Sequence, residues 1–364
     1  KEVLSERFDT VYAEGCKIID ESEEGFKDAV KAAEDSDVVV MALGGNCGWV
    51  NVTGGEGKDR QSLELPGVQE KLLETVAAVG KPVIVVLYGP GIFSVNWAKE
   101  HAAGIVQAWM PGPFAGEVVT DVLDGTFNPG GKLTVTVPRS VGQIPMFYNH
   151  KNGSGYASGA DTASSSLIFS GGYVDADSTP LFPFGYGLSY TSFAYSDLSV
   201  DKDGVTFTIR NTGAVEGTEV AQLYVGKESE TIFRPVRELK GFARVTLAPG
   251  EEKRVHIAFD DKAFRFYDTR TNPWEIESGE YQIMIGTDAE TIVLEGSLEV
   301  AGTVTDGGYS KEILPEYFSG KIENIDDVEY RELYGREIPD GSWSGELGMN
   351  DALCQMYYAK SGIA

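Results

Sequence analysis

The run Gly54-Gly55-Glu56-Gly57-Lys58-Asp59-Arg60 sets one carboxylate among three glycines, with a second carboxylate and two cations directly behind it. Glycine on both sides allows backbone conformations and close approaches that would be strained for other residues. A carboxyl group presented in this way can donate or accept a proton. Trp49 stands seven residues earlier, beside the glycine-rich stretch Gly44-Gly45-Asn46-Cys47-Gly48. A tryptophan in a polar loop is either buried against neighbouring structure or offers a flat apolar face, and sugar rings stack on such faces. The residues alone leave both pairs of readings open. Glu56 is a proton donor or one acid among many on an acidic surface, with Asp59-Arg60 capping the next helix; Trp49 is a ligand platform or a packing residue.

Other constellations carry less. Gly89-Pro90-Gly91 follows an apolar run, but no third glycine completes a dinucleotide fingerprint and the proline removes a backbone donor. There is no phosphate loop and no serine in a GxSxG setting. His101, His150 and His256 are scattered, and Cys16, Cys47 and Cys354 form no CxxC pair. A metal site, a disulfide framework and a hydrolytic triad are therefore not expected, and no cofactor is implied. Asn51-Val52-Thr53 fits the glycosylation sequon, which matters only in a eukaryotic secretory pathway.

The glycine loop needs a frame. Val38–Leu43, Val83–Tyr88 and Ile105–Met110 are short continuous apolar runs of the kind that form strands buried on both faces. Between them Phe26-Ala29-Val30-Ala33, Val68-Leu72-Leu73-Val76-Ala77 and Val118-Val119-Val122-Leu123 repeat at helical spacing. Strands alternating with helices predict a parallel α/β sheet over residues 1–150, and loops leaving the carboxyl ends of its strands form the ligand crevice. The glycine loop is such a loop. Phe8–Tyr12 and Cys16–Ile19 read as the approach to a second element, so the sheet is expected to be incomplete at its N-terminal side. Trp97 and Trp109 fall in periodic apolar segments and read as core.

Residues 151–192 are rich in glycine and serine and read as a connecting loop. From Phe193 the period drops to two, as in Val205-Phe207-Ile209, Val220-Gln222-Tyr224, Val255-Ile257-Phe259 and Tyr281-Ile283-Ile285. Turn signals such as Asp203-Gly204 and Pro249-Gly250 punctuate it. About seven short strands predict an immunoglobulin-like β-sandwich over residues 193–300. It carries no acid in a glycine loop, which suggests a bracing role. Residues 301–364 form an acidic tail with a short helix expected at 350–360.

The chain has 364 residues, 42% of them hydrophobic, so two domains fit its length. Thirty Lys and Arg against 56 Asp and Glu give a net charge of −26, which repels phosphate backbones and argues against nucleic acid as a partner. No apolar run approaches the ~18 residues of a membrane span, and no signal-peptide pattern follows Lys1.

Four long segments resemble the C-terminal half of glycoside hydrolase family 3. They are GGEGKDRQSLELPGVQEKLL (Gly54–Leu73), KPVIVVLYGPG (Lys81–Gly91), AWMPGPFAGEVVTDVLDGTFNPGGKLTVTVP (Ala108–Pro138) and PLFPFGYGLSYTSFAYSDL (Pro180–Leu198). RELKGF (Arg237–Phe242) and SGEYQIMIG (Ser278–Gly286) extend the likeness. The resemblance implies a parallel α/β sandwich domain followed by a fibronectin type III-like β-sandwich. It also implies a retaining exo-β-glycosidase, β-glucosidase before β-xylosidase, acting on a β-linked glycoside or oligosaccharide. Matched residue by residue, E-G-x-D-R makes Glu56 the acid/base, and Trp49 falls where family loops often set an aromatic beside the aglycone. The family's aspartate nucleophile lies on a TIM-like barrel that this sequence does not contain. The barrel is therefore expected as a partner, on a separate chain of the same enzyme or elsewhere in a longer polypeptide; self-association is left open. The alternative from another class is a non-catalytic scaffold or sugar-binding module.

Overall fold

The computed structural model describes residues 1–49, 52–55, 57–151, 175, 177–229, 231–269, 271–304, 309–319, 322–349 and 351–360. Most of the connecting loop expected over 151–192, from residue 152 to 174, lies outside these.

The first part opens with α1 (Glu2–Arg7) and α2 (Phe26–Glu34), then alternates β1 (Val39–Gly44), α3 (Gln69–Ala77), β2 (Val83–Tyr88), α4 (Asn96–His101), β3 (Gly104–Trp109) and α5 (Ala115–Leu123). The apolar period of α3 buries Gln69, Leu72, Leu73 and Val76 along one stripe. The three strands pair in parallel in the order β1-β2-β3, with Val39 opposite Val83 and Ile84 opposite Gly104. Leu72, Leu73, Val76, Val85 and Leu87 share one core with Phe93 and with Leu181, which the segment expected as a connecting loop contributes. Truncating Leu73, 1% exposed, to alanine is expected to cost about 2–5 kcal/mol.

Continuous apolar runs predicted burial on both faces for all three strands, and only β2 meets that description. Every residue of β3 is half-buried, and Val38 and Val40 at β1 are exposed. The cause is position: β2 is central, whereas β1 and β3 are the edges of the sheet. Phe8–Tyr12 and Cys16–Ile19 form no regular strand or helix.

The second part is a sandwich. Strands β4 (Phe193–Asp201), β5 (Gly204–Asn211), β6 (Gly217–Gly226), β7 (Glu238–Leu247) and β8 (Glu252–Ala258) are followed by a hairpin, β9 (Arg265–Tyr267) and β10 (Trp274–Ile276), and then by β11 (Gly279–Gly286) and β12 (Ile292–Val300). They form a four-stranded sheet, β12-β11-β6-β7, and a three-stranded sheet, β4-β5-β8. Phe207, Ile209, Leu223, Tyr281, Ile283 and Ile285 fill the space between them. These seven strands match the alternating pattern; the hairpin was not anticipated. The tail carries α6 (Pro315–Ser319) and α7 (Asp327–Tyr334), and the helix expected over 350–360 is a 3-10 turn at Leu353–Tyr358.

The outer face of β6 joins the two parts. Tyr224 is fully buried beneath Tyr148 and Phe184, whose rings stack at 4.4 Å. Gln222 Nε2 donates to the carbonyls of Gly185 at 3.1 Å and Thr287 at 2.7 Å, while its Oε1 accepts from the Tyr224 hydroxyl at 2.6 Å. A buried amide with its hydrogen bonds made fixes one arrangement, because any shift strands a polar group.

Candidate active site

Three strand ends meet on one rim. The Gly45 amide donates to Tyr88 O at 2.8 Å, and the Gly89 amide donates to Trp109 O at 2.9 Å, so the chains leaving β1, β2 and β3 are tied in series. The approach is close enough to need glycine: a Cβ at Gly44, where φ is +125°, would lie 1.9 Å from Tyr88 O. Gln69, 3% exposed, secures the same point. Its Oε1 accepts from Gly44 N at 2.7 Å and its Nε2 donates to Gly44 O at 2.8 Å and to Ile18 O at 2.9 Å.

From Gly45 the glycine loop rises and is stitched across its base. Thr53 Oγ1 accepts from Asn46 N at 2.9 Å and donates to Asn46 O at 3.0 Å, and Thr53 N donates to Asn46 Oδ1 at 3.1 Å. The Thr53 hydroxyl of the sequon thus serves the fold of its own loop; Asn51 lies outside the described residues. Cys47 bridges Gly54, and Gly55 bridges Lys58. A Cβ at Gly55 would sit 2.7 Å from Gly48 O, at a φ of +149°. On the far side Arg60 lies 5.7 Å over the buried ring of Phe93 and donates to Glu64 O. Burial lowers the Arg60 pKa from its usual value without discharging it, and raises that of the Tyr88 phenol.

Of the two residues singled out from the sequence, Trp49 stands at the tip of this stitched loop and is 75% exposed, so it is not a packing residue. Glu56 lies outside the described residues. Trp109, expected as core, is half-buried at the end of β3 with φ +54°, a conformation uncommon for a bulky residue. Met110 and Phe114, 62% and 63% exposed, follow it at the same end of the sheet and were not anticipated. The signal for them was the turn Pro111-Gly112-Pro113, which carries the chain out from the strand end. Among the described residues no three His, Cys, Asp or Glu side chains are grouped to hold a metal. Among the same residues no helix is long and apolar enough to cross a membrane.

A parallel sheet with a stitched glycine loop at its carboxyl ends, followed by a seven-stranded sandwich, defines a two-part α/β and β-sandwich protein, and comparison with known proteins gives its family. Residues 2–190 match the glycosyl hydrolase family 3 C-terminal domain, and residues 219–289 match the fibronectin type III-like domain. The chain belongs to glycoside hydrolase family 3. A β-xylosidase of Formosa agariphila is 39% identical over 303 residues, covering 80% of this chain and 39% of the relative. Thermostable β-glucosidase B of Acetivibrio thermocellus is 36% identical over 318 residues, covering 84% and 40%. Among solved structures, a mutant β-glucosidase of Listeria innocua in complex with laminaribiose superimposes with a TM-score of 0.73 at 33% identity, covering 85% of this chain and 42% of that one. The chain thus spans about two fifths of the length of the relatives it matches.

Proposed function

We propose that this chain supplies the acid/base half of a retaining exo-β-glycosidase, a β-glucosidase, whose nucleophile stands on a barrel domain outside these 364 residues. In this reading residues 1–150 carry the catalytic loop and residues 193–300 brace it. The single observation that supports it best is the rim: three strand ends tied by backbone hydrogen bonds hold a loop that carries an open tryptophan and the E-G-K-D-R sequence.

The reaction is a double displacement. The barrel carboxylate attacks the anomeric carbon while Glu56 protonates the leaving oxygen; Glu56 then takes a proton from the water that releases the sugar. Trp49 offers its ring to the leaving sugar. Because the carboxyl pair of a retaining enzyme stands about 5 Å apart, the loop must be held firmly against its partner domain. The stitching between Asn46 and Thr53 serves that need.

The test is Glu56→Ala in an enzyme carrying both halves. A disaccharide, whose departing alkoxide needs protonation, is expected to react ~10²-fold more slowly or worse. An aryl glucoside with an acidic phenol is spared in the first step and stalls as the glycosyl-enzyme, and azide restores turnover with a β-configured product. Parent-like behaviour on both substrates, with no azide effect, refutes the assignment. The Formosa β-xylosidase supports a second reading, in which the same loop serves a xyloside. Comparison of kcat/KM on matched aryl glucosides and xylosides separates the two.

A further inference from the structure

A second concave site lies on the sandwich and shares no lining residue with the glycine loop. It is a groove of about 340 Å³ bounded by Phe233 and Arg234, between β6 and β7, and by Arg265, Tyr267, Asp268 and Trp274 of the β9–β10 hairpin. Tyr267 and Trp274 meet edge to face at 5.5 Å, yet remain 46% and 58% exposed. The Arg265 guanidinium lies 4.8 Å over Trp274 and closes one face of the indole. The exposed area of Trp274 therefore belongs to the opposite face and the rim of the ring.

Two further features point to a ligand. Arg234 Nη1 and Arg265 Nε make no hydrogen bond among the described residues, the Arg234 guanidinium packing over the rings of Phe266 and Tyr281 at the edge of the groove. The lining charges also nearly balance, with three cations, Lys151, Arg234 and Arg265, against the carboxylates Glu238 and Asp268. On a chain with a net charge of −26 this is a close to neutral patch, suited to an uncharged ligand more than to an anion.

Exposed Trp274 and Tyr267, with arginine and carboxylate side chains around one small groove of nearly balanced charge, suit a pyranose. Its C–H face stacks on an indole; its equatorial hydroxyls accept from arginine and donate to carboxylates. We propose that this groove binds a neutral sugar ring at a site separate from the cleavage loop, so that the sandwich holds part of an oligosaccharide as well as bracing its neighbour. Binding here does not depend on the role of Glu56, and its failure leaves that assignment standing.

The experiment is calorimetric titration of the 364-residue chain with laminaribiose and with cellobiose, in a Trp49→Ala background that removes the open aromatic ring of the glycine loop. Saturable binding with a dissociation constant on the order of 1 mM is expected for at least one disaccharide. Trp274→Ala should weaken it about tenfold or more, whereas Trp274→Phe, which keeps a flat ring, should lose about threefold or less. Tyr267→Ser provides a second variant at an exposed position and should also weaken binding. No saturation by about 20 mM, or the same isotherm for the parent, Trp274→Ala and Tyr267→Ser, overturns the proposal. Tighter binding of a uronate-containing disaccharide than of its neutral counterpart overturns it as well.

Discussion

Lys132 Nζ stands 3.1 Å from Glu219 Oε1, and this ion pair crosses from the α/β part to the sandwich with both side chains nearly buried, 12% and 7% exposed. Lys132 also donates to Gly187 O at 2.9 Å. Burial, with Glu219 alongside, holds the Tyr195 hydroxyl protonated far above its ordinary range. The charges cannot turn to water when one partner is removed. Lys132→Met and Glu219→Leu alone should each destabilise the chain by about 3–5 kcal/mol, while the two together recover most of the loss. Urea unfolding of the four proteins measures the cycle; single variants within about 0.5 kcal/mol of the parent would show the pair to be dispensable.

The role proposed for Trp49 can be tested apart from stability. At 75% exposure it contributes little packing, so Trp49→Ala should leave the unfolding free energy of the chain within about 0.5 kcal/mol of the parent. In the complete enzyme the same change should raise KM for a disaccharide more than for an aryl glycoside with a small leaving group. Equal effects on both would remove Trp49 from the leaving-group side.

Arg7 clips α1 onto α5. Its Nη1 lies 2.6 Å from Asp121 Oδ1 and 2.5 Å from Asp124 Oδ2, and Val3 rests against Gly116. The Arg7 hydrogen bond, aided by the Thr126 amide, lowers the Asp124 pKa to about 2. A depressed carboxyl stabilises the fold above its unfolded pKa, near 3.8, and that stabilisation is lost as pH falls toward 2. Hydrogen exchange in Glu2–Arg7 should therefore quicken between pH 4 and 2 relative to the intrinsic rate. Asp124→Asn should abolish that pH dependence, and an unchanged profile would count against the clip.

Gln69 is a buried polar residue of the α/β core with three hydrogen bonds. Gln69→Leu removes the partners of both backbone groups of Gly44, each costing about 1–3 kcal/mol when left buried and unpaired. Thermal unfolding should register the loss. In the complete enzyme kcat should fall as well, because the glycine loop starts from that residue.

Where the sequence repeats a period, the fold was legible. The seven alternating sandwich strands follow directly from spacing and β2 from its unbroken apolar run, and the E-G-K-D-R loop was conspicuous because three glycines surround one acid. Three-residue strands such as β9 and β10 have no period to read, and Trp274 is exposed on that hairpin. β3 has the composition of a buried strand, and only its place at the sheet edge leaves it half-covered. Neither the Asn46–Thr53 stitching nor the reach of Gln69 to a residue 25 positions away leaves a local signature.

The Gln69 amide does to Gly44 what a neighbouring strand's peptide group would do, accepting from its N–H and donating to its C=O on the side of β1 that faces away from β2. One side chain thereby closes the last rung of an otherwise open ladder. Any further strand that docks along β1 can pair only with the rungs before Gly44, so its end, and with it the start of whatever loop it feeds toward the rim, is set by a glutamine at the start of the next element.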